Sequence, residues 1–314
     1  MRCRRHIVGW VSALLIALSV APAHAQLNTQ HIKGTVGLKG GSQPPPDVYV
    51  LAPLIYVYGT DTVKDADGDP LPGNANVTTS AFAGGFSVVT STKILGGFYG
   101  FQILFPATID NQIQGANLGT KGGGGLTDSA IVPISLGWHF ARADVIAGYM
   151  VYLPTGQFHP FATDNTGFGM WGHEPSVGTT VYLTKSHQYH AATVASVTFN
   201  TKKRDTDTQV GTTMNLEGGI GGDFKEGRIT AGLVYYTEWK LSQDTIAGLP
   251  QSFPLGKNKT FALGPEVSVA LERNHTLYGV LKVNYQWETY ARVTTQGSEL
   301  TVLATFFVKP IKLQ

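Results

Sequence analysis

Cysteine is almost absent from this chain: of 314 residues, only Cys3 carries a thiol. It stands in a segment with the three parts of a secretory signal. Arg2, Arg4 and Arg5 precede an apolar stretch from Ile7 to Val20, and Ala23-His24-Ala25 offers small residues where a signal peptidase cuts. Residues 1–25 are therefore expected to be removed on export. The remaining chain then has no cysteine, which excludes a disulfide scaffold and a thiolate metal site.

Charge is also scarce. Only 14% of residues are Asp, Glu, Lys or Arg, against roughly 25% in ordinary soluble domains. Without the three arginines of the signal, 23 Lys+Arg become 20 against 21 Asp+Glu, a net charge of −1. No basic face is available, so nucleic acid is not an expected partner. Beyond residue 25 no apolar run approaches the roughly 18 residues of a transmembrane helix. No Pro/Ser-rich linker or block of like charge divides the chain.

What the chain does have is 42% apolar residues and a strict alternation that spends them on one face of each segment. From Ser129 to Phe140, Ala130, Val132, Ile134, Leu136, Trp138 and Phe140 oppose Ser129, Pro133, Ser135, Gly137 and His139. Further on, Phe261, Leu263, Val267 and Val269 oppose Gly264, Glu266 and Ser268, and Leu281, Val283, Tyr285 and Trp287 oppose Lys282, Asn284, Gln286 and Glu288. About twelve such segments are expected, near 48–59, 76–92, 97–108, 129–140, 143–153, 173–184, 189–200, 211–223, 228–240, 260–271, 276–288 and 298–309. The first, VYVLAPLIYVYG, is apolar on both faces.

Segments of this length exceed a usual soluble strand and suit a tilted strand crossing a bilayer. A large soluble sandwich also alternates, and the connections separate the two readings. Long stretches (60–75, 109–128, 154–172, 201–210, 241–259, 289–297) take turns with short ones such as KILG, KSHQ and ERNH. That places all long loops on one rim and all tight turns on the other. The expected fold is all-β: an antiparallel transmembrane barrel of about twelve strands, with long extracellular loops and short periplasmic turns. A sheet in hydrocarbon must close, because an edge would leave backbone groups without partners. The expected division is a signal at 1–25, a periplasmic arm or plug at 26–47, the barrel at 48–309 and a tail at 310–314.

Four pieces carry a family resemblance: SQPPPDVYVLAPLIYVY (Ser42 to Tyr58), LGWHFARADVIAGYMVYLPTG (Leu136 to Gly156), NTGFGMWGHEPSVGTTVYL (Asn165 to Leu183) and FALGPEVSVAL (Phe261 to Leu271). In that order the chain resembles outer-membrane proteins associated with the meta-cleavage pathway of phenol degradation. The resemblance implies a barrel that passes small hydrophobic or aromatic molecules inward. Such barrels commonly end on an aromatic residue read by the assembly machinery, whereas this chain ends Lys312-Leu313-Gln314.

Two groups of residues follow as candidates. Phe158, Phe161, Phe168 and Trp171, in the long loop opened by Pro154-Thr155-Gly156, are expected to bind apolar solute as an aromatic lip, or else to fold the loop onto itself. Asp144, Glu217, Asp223, Arg228, Glu238, Lys240, Glu266, Lys282 and Glu288 are expected to line the lumen. Their mixed signs argue against strong ion selectivity. His173, Glu174 and Ser176 raise a lipid hydrolase, but on a strand His173 and Glu174 point to opposite faces. The run Asp65 to Asp69 lacks the distal Glu of a calcium loop, and the glycine-rich run from Leu118 to Asp128 lacks a phosphate-loop signature.

No cofactor, no metal and no enzymatic activity are expected. The expected function is an outer-membrane channel or transporter for passive uptake of small hydrophobic or aromatic molecules. The alternatives are a structural barrel with a filled lumen and the lipid hydrolase. Expected partners are outer-membrane lipid and lipopolysaccharide, small hydrophobic solutes and the assembly machinery.

Overall fold

The structure is a computed structural model that describes residues 28–72, 76–115, 118–160, 162, 164–246 and 256–312. The expected signal lies outside them. The described residues form fourteen strands: β1 (Val48–Val63), β2 (Asn76–Ile94), β3 (Gly97–Gly115), β4 (Leu118–Lys121), β5 (Gly125–Leu126), β6 (Ser129–His139), β7 (Ala143–Leu153), β8 (Gly172–Tyr182), β9 (Tyr189–Asn200), β10 (Thr213–Phe224), β11 (Ile229–Lys240), β12 (Lys259–Arg273), β13 (Thr276–Arg292) and β14 (Thr295–Lys312).

Twelve of them make the wall. Each pairs antiparallel with its neighbour, β3 pairs directly with β6, and β14 pairs with β1 through contacts such as Val57 with Leu300. The sheet is thus a closed ring. β4 and β5 are short additions on β3 above the wall. Closure satisfies every edge, which a bilayer core demands.

The tight turns between β2 and β3, β6 and β7, β8 and β9, β10 and β11, and β12 and β13 all fall on one rim. Four of them place non-glycine residues in left-handed geometry: Leu95 at φ 50°, His187 at 61°, Lys225 and Glu226 at 49° and 59°, and Asn274 and His275 at 50° and 55°. Two-residue hairpin turns need that geometry to match strand twist. On the opposite rim one expectation fails: β13 and β14 run on to Arg292 and from Thr295, so only Val293 and Thr294 join them. The polar stretch 289–297 reads as a loop, yet the cross-strand pairs extend through it. β14 likewise continues to Lys312 by pairing with Thr276, through residues expected to form a tail.

The outer surface is greasy and continuous. Phe105, Val177, Phe199, Ile220, Leu233 and Trp287 are all exposed, as are Phe261, Val267, Val269 and Val283. An apolar belt of this extent is stable only against lipid. Strand β6 departs from the expected faces. Its four residues from Ile131 to Ile134 oppose only three of β7, Tyr149 to Val151, a bulge that turns the chain over. Ala130 stands opposite Tyr152, whose hydroxyl reaches the interior carboxylate of Glu174, so Ala130 and Val132 are buried inside rather than facing lipid.

Candidate functional site: the barrel interior

Residues 28–47 form no strand, and they run inside the barrel. Their contacts go around the wall. Gln30 donates to the Met170 carbonyl at 2.8 Å near the long-loop rim. Lys33 approaches Glu288 on β13, and Asn284 and Gln286 donate to the Gly34 carbonyl at 3.0 and 3.1 Å. The Leu38 N–H donates to Glu266 on β12, Lys39 pairs with Asp223 on β10 at 2.7 Å, and Gln43 donates to Ser135 on β6. The chain then enters β1 from the tight-turn rim.

Glycine makes this descent sterically feasible. Gly34 and Gly37 have φ of 75° and 76°, and a Cβ at either would collide with the carboxylates of Glu299 and Glu266. Gly41 lies so close to the backbone of Thr179 that no side chain fits.

His31 is the centre of the polar contacts. Its Nδ1 lies 3.0 Å from Glu174 and its Nε2 lies 2.8 Å from Glu217. A neutral imidazole has one N–H, so facing two carboxylates requires the doubly protonated ring. Burial alone would lower its pKa, but Glu174 and Glu217 more than reverse that and hold it well above the ordinary value. Glu174 also accepts from Thr198 at 2.7 Å and from Tyr152 at 3.2 Å.

The interior wall has two unlike halves. On β8 and β10 to β14 it presents Glu174, Glu217, Glu238, Glu266, Glu288 and Glu299, each at most 7% exposed. Glu288 accepts from Tyr58 and Tyr236, both at 2.8 Å, Glu299 from Tyr56 and Gln286, and Glu238 from Asn258. On β1, β2, β3 and β7 the inward row is Ala52, Leu54, Ala83, Leu104, Pro106 and Met150, continued on β6 by Ala130 and Val132. Of these, Leu54, Leu104, Pro106 and Met150 remain partly exposed. The inner segment makes its ionic contacts with the acidic half. The other half is largely apolar, with Ser87 and Gln102 on the same inward face, and the segment reaches it through Gln43 at Ser135.

The expected lumen charges distribute unevenly. Glu217, Glu238, Glu266 and Glu288 lie in the acidic half, and Lys282 donates to the Thr35 carbonyl at 2.7 Å beside them. Asp144 and Asp223 lie nearer the tight-turn rim, where Asp144 meets His139 at 3.0 Å and Tyr182 at 2.7 Å. Lys240 pairs with Asp244 at the other rim. Arg228 is placed differently from expectation. It sits exposed in the turn before β11 and pairs with Glu272 at 3.3 Å, because the strand begins one residue later. The mixed sign read from sequence therefore does not describe the middle of the wall, where six glutamates face Lys282. The balancing cations, His31 and Lys33, come from the inner segment. The sequence reading expected an arm or plug at 26–47 but did not single out His31 or Lys33, nor Glu299, Tyr56, Tyr58 and Tyr236 of the wall. The available signal was IKGTVGLKGG, which alternates cations with glycines.

Of the expected aromatic residues that the structure describes, Phe158 and Phe168 both face the Lys203 ammonium, 5.6 and 5.9 Å from their ring centres, and Trp171 stands apart at the rim. Phe158 is buried beneath Gly169. Phe168 packs against Met170 and Val210. Trp171 is 45% exposed at the rim, and Phe161 lies outside the described residues. Asp128 fixes this cap by accepting from Gly156 N–H at 3.1 Å and Phe168 N–H at 2.9 Å. Burial raises the Asp128 pKa and lowers that of Lys203 to about 8. His173 bonds Tyr149 on the outer face while Glu174 bonds His31 inside, so the residues of the hydrolase reading are split across the wall. Asp65 accepts from Asp67 and Asp69 N–H groups at 2.9 Å, closing an exposed turn.

A closed antiparallel barrel with an apolar exterior is an outer-membrane protein by construction. The chain belongs to the family described as "Putative MetA-pathway of phenol degradation", whose model matches residues 60–303. It is similar in fold to the COG4313 outer membrane channel from Pseudomonas putida F1, with a TM-score of 0.73 and 12% identity over 88% of this chain and 100% of that one. The KdgM porin (TM-score 0.42, 10% identity, 81% and 98% covered) and a TodX monoaromatic hydrocarbon channel deltaS2 mutant (0.41, 10%, 85% and 95%) are more remote. No curated protein matches the chain.

Proposed function

We propose that this protein is an outer-membrane channel through which small apolar and aromatic molecules pass passively into the periplasm. The observation that carries this reading is the divided lumen. The inner segment is held to the acidic half, and the remaining path runs along Leu54, Leu104, Pro106 and Met150. An apolar solute on that path leaves water for apolar side chains, worth roughly 25 cal/mol per Å² of its surface. A strongly hydrated ion gains nothing there.

In this orientation the long-loop rim faces outward toward lipopolysaccharide, and the tight turns face the periplasm, reached by export of the chain through its signal and insertion by the assembly machinery. Phe158 and Phe168 serve as the packed underside of a cap over the mouth. Passage needs no energy source, since the solute moves down its gradient. Uptake of radiolabelled phenol into vesicles with a lipopolysaccharide outer leaflet tests the reading. Protein-dependent entry that falls at least about tenfold in Leu104→Trp supports it. Entry unchanged by that variant, or absent for the intact protein, contradicts it.

A further inference from the structure

The acidic half of the lumen has an occupant in the inner segment. Six buried glutamates converge on the inner segment from β8 and from β10 to β14, and among the described residues Lys282 is the one cation of the wall that lies with them. The segment answers them as a ligand would. The His31 ring bridges Glu174 and Glu217, Lys33 lies 3.5 Å from Glu288, and the N–H groups of Val36 and Leu38 donate to Glu217 and Glu266. An independent feature marks the same surface as built for a polar guest. Asn215 shares the inward face with Glu217, two residues along β10, and is 1% exposed; neither polar atom of its amide has a hydrogen-bond partner among the described residues. The Oε2 atom of Glu266 accepts no hydrogen bond and has only the Lys282 ammonium, 4.0 Å away, beside it. Buried amides and carboxylates of this kind are costly without partners.

We propose that the inner segment is the lumen's own cationic ligand, and that the acidic half is a cation-conducting path which the segment occupies and neutralises. Displacing the segment exposes a row of carboxylates to water, and a ring of one sign selects counter-ions. The segment thereby gives the channel its solute class: while it is seated, the acidic route is closed and the apolar route remains. This goes beyond aromatic uptake and does not depend on it, because the readout is ionic.

The test is single-channel recording in a planar bilayer under a potassium chloride gradient. Three proteins are compared: the intact chain, a chain lacking residues 28–39, and the full-length triple variant His31→Gln, Lys33→Gln, Lys39→Gln. The shifted migration of unheated barrel on a denaturing gel establishes folding. The intact channel is expected to show small conductance with little preference between potassium and chloride. The deletion is expected to raise conductance and to favour potassium about tenfold, with a synthetic peptide of residues 28–41 restoring the low-conductance state. The triple variant is expected to change in the same direction, and it decides the matter if the deletion does not fold. Enlarged but unselective or chloride-selective channels would overturn the proposal. So would an unchanged reversal potential in the variants that fold.

Discussion

The Nε2 atom of His31 lies 2.8 Å from a carboxylate oxygen of Glu217, while Glu174 takes the opposite nitrogen of the same ring. Such a bridge holds only while the imidazole carries both protons. Its seated pKa is raised above the ordinary value, so the stabilisation is complete below about 6.5 and is lost as pH rises through the raised value. Tyr152 and Thr198 already engage Glu174 and do not replace the lost charge. Hydrogen exchange of residues 28–47 should accelerate as pH climbs past that point, after correction for intrinsic rates. In His31→Gln the segment should exchange faster throughout, without that dependence.

Seating of the segment depends on absent side chains. Gly41→Ala forces a methyl group into the backbone at Thr179, and Gly34→Ala adds both a collision with Glu299 and left-handed strain of about 1–2 kcal/mol. Each should loosen residues 28–47 while leaving the barrel folded. Limited proteolysis should cut the segment in either variant under conditions that spare it in the parent. Equal protection would show that the close approaches do not constrain the segment.

Asp128 holds the cap over the mouth through Gly156 and Phe168. Asp128→Ala strips the buried Gly156 N–H and the half-buried Phe168 N–H of their acceptor, a local loss of about 1–3 kcal/mol for a buried donor left unsatisfied. Exchange of residues 156–170 should quicken, with the wall strands unaffected. Asp128→Asn should be milder because its carbonyl oxygen still accepts.

Trp171 and Phe168 offer a contrast within one loop. The Trp171 ring is exposed at the rim, whereas Phe168 packs with Met170, Val210 and Ile246. Trp171→Ala should leave aromatic uptake within about twofold, since the half-exposed ring lies outside the Met170 and Val210 cluster. Phe168→Ala removes core contacts and should loosen the loop, which exchange measurements would register beside uptake.

Most of the wall was legible because a barrel repeats one simple rule. Phe261, Leu263, Val267 and Val269 alternate with residues that cannot face lipid, and the structure exposes them all. The rule fails where the backbone changes step. At β6 the bulge reverses Ala130 and Val132, and a single added residue is enough to turn every later side chain over. The β13–β14 hairpin was hidden because polar residues above the bilayer look alike in strand and loop. The interior was legible as individual charges only. Glu217 was expected in the lumen and Glu174 was weighed only beside His173 and Ser176, and their shared partner His31 lies 186 and 143 positions away in a segment with no periodicity. Nothing local to either end announces the pairing.

The division of the lumen is tested most directly by locating a solute within it. Crystals of the protein soaked in a brominated phenol should give an anomalous bromine peak beside Leu54, Leu104 and Met150, with residues 28–47 still seated against the glutamates. A peak among Glu217, Glu266 and Glu288 instead, or no interior peak from a protein that demonstrably carries the compound, would contradict the apolar route.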